Sequence, residues 1–235
     1  RGQDVALLAA VFQPPGAGVS RRTTREQQRA LDRLAEAPCL SRFYLAGGVA
    51  VAAHVDHRTS VDLDLFSLDA SVDLESVRLR LVSELPELEV VAATEAMIGA
   101  RIGQVPLDLV RYPYAPLIPP LADIMPVPVA SPLDLATMKL SAIARRGLRR
   151  DFWDLMLLAQ RPDITLRGAL DAFVRRFGRS DSDLYHVIRS LTFFDQAEAE
   201  ATWPAGLTPE AWQSVKAWFE GEAPAELRRR LDQEV

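Results

Sequence analysis

YLAGGVA at residues 44–50 and SVDLDLF at residues 60–66 are the stretches that decide the fold of this chain. The first predicts a short apolar strand that passes through a glycine pair into an alanine-rich helix. The second predicts another strand, on which Asp62 and Asp64 lie two residues apart and therefore point to the same face. The apolar residues that alternate with them, beginning with Val61, then face a hydrophobic core. The chain thus builds a sheet with two carboxylates on one side of its second strand.

The two aspartates predict a metal site. Adjacent carboxylates on an apolar strand repel each other, and burial raises the cost of keeping both charged. A divalent cation removes that conflict, and hard oxygen ligands suit Mg²⁺, which also brings in substrate phosphates; Mn²⁺ is the alternative. The backbone N–H groups of Gly47 and Gly48, which open a helix, form a natural phosphate-binding end nearby. A phosphate-binding turn beside a metal-binding aspartate pair indicates nucleotidyl transfer from a nucleoside triphosphate.

Composition indicates an ordinary globular protein. The chain has 235 residues, of which 49% are hydrophobic and 25% charged, so it is long enough for one large domain or two small ones. No apolar run reaches the ~18 residues of a membrane span, and the start of the chain does not resemble a secretory signal. The single Cys39 excludes an internal disulfide. We therefore expect a cytoplasmic protein with no membrane partner.

The charge is unevenly distributed along the chain. The formal net charge is −5, which argues against a general nucleic-acid binder. Residues 139–179 nevertheless contain ten basic residues and four acidic ones, a local charge of +6. Such a segment could hold a polyanion; the alternative is a solvated helical face.

The remaining pattern predicts an α+β protein in three parts. We expect an N-terminal helical lead-in at residues 1–41, an α/β core with a mixed β-sheet and flanking helices at 42–128, and an all-helical C-terminal region at 129–235. The predicted strands are residues 42–46, 61–66, 88–92, 97–102 and 105–110. The predicted helices are residues 24–36, 49–55, 74–85, 132–146, 149–160, 165–177, 182–193, 208–220 and 224–233, after a helical turn or strand at 5–12 and a loop at 13–20.

A third carboxylate, Asp108, interrupts the predicted strand VPLDLV at residues 105–110. An aspartate flanked by leucine on both sides must find a partner or face a cleft. It is therefore the candidate third metal ligand beside Asp62 and Asp64. The alternative is that Arg111, at the end of the same strand, neutralises it.

Lys139 is the candidate for binding the phosphates of the nucleotide. On the predicted helix at 132–146, Lys139 lies on the apolar side, opposite the expected solvent face, which is marked by Asp134, Thr137, Ser141 and Arg145. A lysine in an apolar stripe is costly unless its ammonium group meets an anion, and a point charge on a triphosphate is a usual task of lysine. The alternative is that its side chain extends along the helix to solvent.

Two further acids, Asp151 and Asp154, lie in RRDFWDL at residues 149–155. Both fall in the first turn of a predicted helix, where the helix dipole alone would favour acids. Asp154 has the more apolar neighbours and is expected to face inward.

The loop before the aspartate strand carries His57, Arg58 and Ser60. His57 could order this loop, whereas Arg58 could pair with a phosphate or with Asp56. Ser60 lies two residues before Asp62, where a phosphate group on its hydroxyl would crowd the metal site with negative charge. We assign Arg58 and Ser60 to the candidate nucleotide-binding set.

These motifs together resemble those of a known family. The glycine pair, HRTSVDLDLF at residues 57–66, LDLATMKL at 133–140 and the Arg-Asp-x-x-Asp pattern at 150–154 are similar to the signature of the AbiEii/AbiGii-type nucleotidyltransferase toxins. Those toxins belong to the DNA polymerase β-like nucleotidyltransferase superfamily. The resemblance covers roughly residues 42–160 and implies a nucleotidyltransferase-type sheet in the core.

The resemblance also implies roles for the candidate residues. Asp62 and Asp64 would bind Mg²⁺ and orient the nucleoside triphosphate, and Asp108 would bind metal nearer the acceptor hydroxyl and assist its deprotonation. Lys139 would neutralise the charge that builds on the leaving pyrophosphate. One departure is Val49, which stands where family members commonly have Thr or Ser after the glycine pair.

The implied acceptor is RNA, notably the 3′ end of tRNA, and the implied protein partner is an antitoxin. The family also places an aspartate of the 150–154 pattern in the functional set, either Asp151 or Asp154. Two other functions stay open. One is transfer of a nucleotide to a protein or to a small molecule such as an antibiotic, and the other is an inactive interaction module with the same fold.

Overall fold

The structure, a computed structural model, describes residues 23–178 and 181–233. A five-stranded sheet forms its N-terminal half. The strands are β1 (Phe43–Ala46), β2 (Leu63–Ser67), β3 (Leu88–Ala93), β4 (Met97–Ile102) and β5 (Val105–Val110). Their order across the sheet is β1-β2-β5-β4-β3; β2 and β5 run parallel, and the other neighbouring pairs are antiparallel. The predicted mixed sheet is confirmed.

Three α-helices flank this sheet in the described residues. They are α1 (Arg25–Ala35), α2 (Gly47–Val55) and α3 (Leu74–Glu84). A capping box opens α1: Thr24 Oγ1 accepts from the Gln27 N–H at 3.1 Å, and Gln27 Oε1 accepts from the Thr24 N–H at 2.9 Å. The interpretations of residues 5–12 and 13–20 lie outside the described residues.

The C-terminal half is helical, as predicted. Its described helices are α4 (Pro132–Arg145), α5 (Arg149–Ala159), α6 (Leu166–Phe177), α7 (Asp181–Ser190), α8 (Asp195–Glu198) and α9 (Pro209–Gln233). Ser131 caps α4 by accepting from the Asp134 N–H at 3.0 Å, and Pro132 takes the first helical position. The α+β class is therefore confirmed. No described helix is both long and apolar enough to cross a bilayer.

Three of the predicted helices differ from the structure. The helices predicted at 208–220 and 224–233 form one helix, α9, which continues through Pro224. Proline lacks the N–H for one helical hydrogen bond, but Phe219, Ala223 and Glu226 are buried on both sides of it, so packing holds the helix together. The helix predicted at 182–193 ends earlier, at Ser190, and the short α8 follows it.

The chain before α4 passes beside β1, where Val129 forms a parallel bridge with Leu45, and joins the two halves. The Leu45 N–H donates to Pro128 O at 2.8 Å, and the Ala130 N–H donates to Leu45 O at 2.9 Å. α2 packs against the sheet and also against α4 and α5. One hydrophobic core therefore extends from β1 to α9, and the division into parts at residue 128 stays a prediction.

Candidate active site

Asp64 and Asp108 lie side by side in the sheet. β2 and β5 are parallel neighbours, and their register pairs Asp64 with Asp108. Both aspartates alternate with buried residues, so they share the less buried face of the sheet. Burial and the neighbouring Asp108 raise the pKa of Asp64 to about 6, and burial and Asp62 raise the pKa of Asp108. Arg111, the alternative partner of Asp108, lines a separate pocket with Asp73.

Asp62 lies just before β2 rather than on it. The strand begins at Leu63, and both Val61 and Asp62 are exposed, Val61 to 65%. The prediction that Val61 enters the core is wrong, because pairing with β5 starts only at Leu63. Asp62 is nevertheless near enough to raise the pKa values of both Asp64 and Asp108. The structure therefore gathers the three predicted aspartates at one end of β2.

The paired carboxylates fit a divalent cation by their chemistry. Within residues 23–178 and 181–233, no three His, Cys, Asp or Glu side chains already converge on one metal position. Asp64 and Asp108 are nevertheless a facing acidic pair with raised pKa values, the mark of unrelieved repulsion and burial. A hard dication between carboxylate oxygens relieves both. Asp62, on the exposed loop, is the third available oxygen donor.

Removing one charge of this pair should stabilise the metal-free protein. Because the folded chain raises the pKa of Asp64 from 3.8 to about 6, the cost of its charge is absent below about pH 4 and present in full above about pH 6. In the presence of a chelator, we expect Asp64→Asn to raise the free energy of unfolding by about 1–2 kcal/mol near pH 8. Near pH 4 the free energy of unfolding should change little. Urea unfolding at the two pH values measures this. Asp32→Asn, at an exposed position, is the control. A gain in the free energy of unfolding that appears only at the low pH would contradict the expectation.

Gly47 and Gly48 lie in direct contact with the side chains of the site. Gly47 has a φ of +63°, and a Cβ placed there would lie 1.8 Å from Asp64 Oδ2. A Cβ on Gly48 would lie 2.4 Å from Ser60 Oγ and 2.7 Å from Arg58 Nη2. The residue before α2 supplies no side-chain cap to the first N–H groups of the helix. The glycine pair therefore brings uncapped backbone N–H groups directly against three of the predicted site residues.

Lys139 and Arg58 meet a buried aspartate of α5. Lys139 Nζ lies 2.7 Å from Asp154 Oδ2 and 3.2 Å from Asp151 Oδ1. Arg58 donates from Nε and Nη2 to the two oxygens of Asp154, each at 2.8 Å, and His57 Nε2 lies 2.7 Å from Asp154 Oδ1. Lys139 is buried, as predicted, so it does not extend to solvent. The structure gives Arg58 a carboxylate as its partner, and Asp151 and Asp154 are both buried.

The ionisation of this cluster follows from its contacts. Burial opposes the charge of Asp154, but Lys139 and the hydrogen bonds from Arg58 and His57 outweigh it and hold the pKa of Asp154 well below its ordinary value. Burial lowers the pKa of His57, so the neutral ring donates its Nε2–H to Asp154. His57 Nδ1 then lies buried with no hydrogen-bond partner among the described residues.

Positive charge exceeds negative charge in the cluster. Arg146 Nε lies 2.9 Å from Asp151 Oδ2, and its Nη2 lies 3.1 Å from Oδ1. Three cations, Arg58, Lys139 and Arg146, thus surround two carboxylates. Lys139 also acts on the neighbouring acid pair, since its ammonium group lowers the pKa of Asp64 against the larger effects of burial and Asp108. The surplus positive charge therefore lies beside the predicted metal and phosphate site.

Gln27 is a positioning residue that the sequence analysis missed. Its Nε2 donates to Ser60 O at 2.7 Å and to Val61 O at 2.8 Å, directly before Asp62. Its Oε1 is already used in the capping box with Thr24. A capping box can be read from residues three apart, whereas a hydrogen bond to a loop 33 residues further along leaves no local pattern.

We expect Gln27→Glu to loosen the loop that carries Asp62. One oxygen of the new carboxylate can still accept from the Thr24 N–H. The other replaces the Nε2 donor and places a negative charge against the carbonyl oxygens of Ser60 and Val61. The Mg²⁺ concentration for half-maximal transfer should rise about tenfold, the usual scale for residues that orient metal ligands, while the KM for nucleotide at saturating Mg²⁺ changes less. Gln28→Glu on the same helix is the matched control. An unchanged Mg²⁺ requirement would show that Gln27 only caps α1.

The predicted solvent face of α4 is partly buried. Asp134 and Thr137 are both fully buried, so that prediction is wrong. α6 covers this side: Arg176 Nη1 donates to Asp134 O at 2.9 Å and to Thr137 Oγ1 at 3.0 Å, and lies 3.1 Å from Asp134 Oδ1. Asp134 also accepts from the Leu117 N–H at 2.8 Å. These polar residues are structural, and only Arg145 of the expected set is exposed.

The basic segment at 139–179 is not a continuous basic face. Lys139, Arg149 and Arg176 are buried. Arg149 donates to the backbone carbonyls of residues 198, 200 and 202 and thereby holds the chain after α8. The exposed arginines in the described part of the segment are Arg145, Arg146, Arg150, Arg167 and Arg175. Of the described arginines and lysines of the segment, only these are exposed to a polyanion.

A known structure shares this fold, and two further proteins are similar to the chain. The nucleotidyltransferase toxin MenT4 of Mycobacterium tuberculosis H37Rv matches with a TM-score of 0.53 and 18% sequence identity, covering 86% of this chain and 85% of that one. JHP933 of Helicobacter pylori matches with a TM-score of 0.43 and 15% identity, over 88% of this chain and 95% of that one. An uncharacterized protein of Aquifex aeolicus (strain VF5) is 28% identical over 202 residues, which are 85% of this chain and 95% of that protein. The fold is that of a nucleotidyltransferase.

Residues 29–233 match the family model described as nucleotidyl transferase AbiEii toxin, Type IV TA system, where TA denotes toxin–antitoxin. The chain therefore belongs to the AbiEii nucleotidyltransferase toxin family. The resemblance carried by its motifs is confirmed, and the protein is an enzyme of nucleotidyl transfer.

Proposed function

We propose that this enzyme uses Mg²⁺, with Mn²⁺ as the alternative, to transfer a nucleotide from a nucleoside triphosphate to the 3′ hydroxyl of an RNA. The 3′ end of a tRNA is the acceptor that the family resemblance favours. One observation carries the proposal: Asp64, paired with Asp108, lies directly against the glycine turn at Gly47, and the ammonium group of Lys139 is near enough to lower the pKa of Asp64. Carboxylates, phosphate-binding N–H groups and a fixed cation are the three parts that this chemistry needs.

Backbone N–H groups and polar side chains would bind the phosphates of the nucleotide. The N–H groups of Gly47 and Gly48 would bind triphosphate oxygens, because they open α2 without a side-chain cap. Val49 is buried and carries no hydroxyl, so this task falls to the backbone. Ser60 and Arg58 border Gly48 and would contact the same phosphates.

The three aspartates would hold the metal and serve the acceptor. Asp62, Asp64 and Asp108 supply carboxylate oxygens; bound Mg²⁺ there would neutralise phosphate charge and lower the pKa of the acceptor hydroxyl. The hydroxyl oxygen forms a bond to the α-phosphorus as the bond to pyrophosphate breaks, and the hydroxyl proton leaves towards Asp108. One nucleotide is added and one pyrophosphate is released.

Lys139 would neutralise the charge that builds on the leaving pyrophosphate. Asp151 and Asp154 form ion pairs with its ammonium group. They would therefore be positioning residues rather than groups that touch the substrate. Because Asp154 also orients Arg58 and His57, it links the lysine to the loop that leads to Asp62.

We also propose an antitoxin protein as the partner, since the family is one of toxin–antitoxin systems. A cytoplasmic location agrees with an enzyme that would consume nucleoside triphosphates and modify RNA. Transfer to a protein or to a small molecule remains the alternative for the acceptor, and the experiment below separates these cases.

The test is a transfer assay with labelled nucleoside triphosphates, total RNA, total protein and Mg²⁺. We expect label in the RNA fraction, sensitive to ribonuclease, that disappears with Asp64→Ala and with chelator. Asp32→Ala, an exposed aspartate of α1, should retain full activity. Label that appears in protein or in small molecules, or label in RNA that Asp64→Ala leaves unchanged, would overturn the proposal.

A further inference from the structure

A groove of about 440 Å³ opens between the end of α4 and the segment from α7 to Phe193. Its described lining includes Arg145, Arg146 and Arg189, together with Tyr185 and Phe193, and contains no Asp or Glu. The described lining thus presents three guanidinium groups, of which only Arg146 is paired with a carboxylate, Asp151, and such a concave surface attracts anions. Volume and charge together fit a segment of a polyanion rather than a single inorganic ion.

The aromatic residues of this groove face solvent. Phe193 is 58% exposed and Tyr185 is 44% exposed, although both are large enough to be core residues. The Arg189 guanidinium lies 5.7 Å from the centre of the Tyr185 ring. Exposed aromatic faces interleaved with arginines are the usual platform for unpaired nucleobases, because bases stack on the rings while guanidinium groups bind the phosphates between them. Paired bases in an RNA duplex do not offer these faces.

Arg146 connects the groove to the active site. Its side chain is 51% exposed to the groove side, while its Nε and Nη2 are fixed on Asp151 at 2.9 and 3.1 Å. Asp151 in turn lies 3.2 Å from Lys139. A strand in the groove would therefore run towards the ammonium group that faces the predicted pyrophosphate position.

We propose that this groove binds the unpaired nucleotides next to the 3′ end of the acceptor RNA, with bases stacked on Phe193 and Tyr185 and phosphates on Arg145 and Arg189. The inference rests on the proposed RNA acceptor and adds the place where the acceptor is held. It also gives the basic residues of 139–179 different tasks: Lys139 belongs to the catalytic cluster, Arg145 lines the groove, and Arg146 contacts both. An acceptor held here needs a flexible single-stranded end of several nucleotides.

The test measures binding of a fluorescently labelled single-stranded RNA of about 12 nucleotides, and of the same sequence as a duplex, to the full chain without nucleoside triphosphate. We expect Phe193→Ala and Arg189→Ala each to weaken single-strand binding about tenfold, and Arg189→Ala to reduce the dependence on log salt concentration by about one. Duplex binding should be weak for every variant. Leu79→Ala on α3 and Arg228→Ala on α9 are the controls, since both residues are exposed and neither lines the groove.

Kinetics separate this proposal from the proposed function. The KM for nucleoside triphosphate should stay unchanged in Phe193→Ala while the KM for acceptor rises. A rise in the nucleotide KM alone would assign the groove to the nucleotide and overturn the inference, as would single-strand affinity equal to that of the controls. If the wild type labels RNA and the groove variants behave as wild type, the groove proposal fails and the function stands. If the groove variants lose RNA binding but the wild type labels only protein, the proposed acceptor fails instead.

Discussion

Gly47→Ala should reduce nucleotidyl transfer at least a hundredfold while the chain still folds. A Cβ at this position would lie 1.8 Å from Asp64 Oδ2 and 2.6 Å from Asp64 Cγ, so the carboxylate would have to leave its place beside Asp108. The φ of +63° adds a backbone cost of about 1–2 kcal/mol for any residue with a Cβ. The measurements are the rate of labelled transfer and the free energy of unfolding in urea.

Gly103→Ala is the matched control for this substitution. Gly103 has a φ of +60°, and a Cβ there would meet nothing within 4 Å. Both variants therefore pay the same backbone cost, and only Gly47→Ala disturbs a carboxylate. We expect similar losses of stability and a large difference in activity. Equal activity in the two variants would mean that the Asp64 carboxylate does not have to stay where the structure places it.

Asp154→Asn should destabilise the folded chain by about 3–5 kcal/mol, the usual cost of removing one partner from a buried ion pair. The substitution keeps the shape of the side chain but leaves the Arg58 guanidinium without its paired carboxylate. It also leaves Lys139 with Asp151 alone. Because two buried cations lose their compensation, we also expect transfer to fall more than tenfold at temperatures where the variant is folded. Urea unfolding and the transfer assay test the two parts separately.

Asp163→Asn provides the comparison for this prediction. Asp163 pairs with Arg161 at 3.1 Å, but both side chains are partly exposed, so the pair should contribute less than about 1 kcal/mol. Asp154→Asn could instead change the free energy of unfolding no more than Asp163→Asn does. That result would mean that the contacts of Asp154 with Arg58 and Lys139 do not stabilise the fold. A stable variant with lost activity would instead confine Asp154 to orienting Lys139.

Much of the fold could be predicted because its signals are local. β2 and β5 follow from alternating apolar residues, and the start of α4 follows from Ser131 and Pro132, since capping and periodicity act within one turn or one strand. The wrong helix boundary near Pro224 has the opposite cause. A proline inside a helix costs a hydrogen bond wherever it occurs, and only the packing of distant residues decides whether the helix survives.

The sequence singles out individual candidate residues of the site but not the contacts between them. Single positions such as Asp108 and Lys139 stand out because a charge in an apolar pattern needs a partner. The identity of that partner depends on contacts between distant parts of the chain. The sequence predicts a phosphate as the partner of Lys139, whereas the partners that the structure shows are Asp151 and Asp154. The periodicity of α4 alone predicts Asp134 in solvent, because it carries no sign that α6 covers this side of the helix.

The short bridge at Leu45 means that the loop at 122–128 does not need a fixed length. Leu45 stands two residues before Gly47, and its partner Ala130 stands two residues before Pro132 of α4. A second bridge between Leu121 and Val129 closes the intervening loop at its base. The spacing between the glycine turn and Lys139 is thereby set by paired backbone, whatever the loop at 122–128 contains. Relatives of this enzyme could lengthen or replace that loop, for instance to recognise a different partner, and keep the same catalytic spacing.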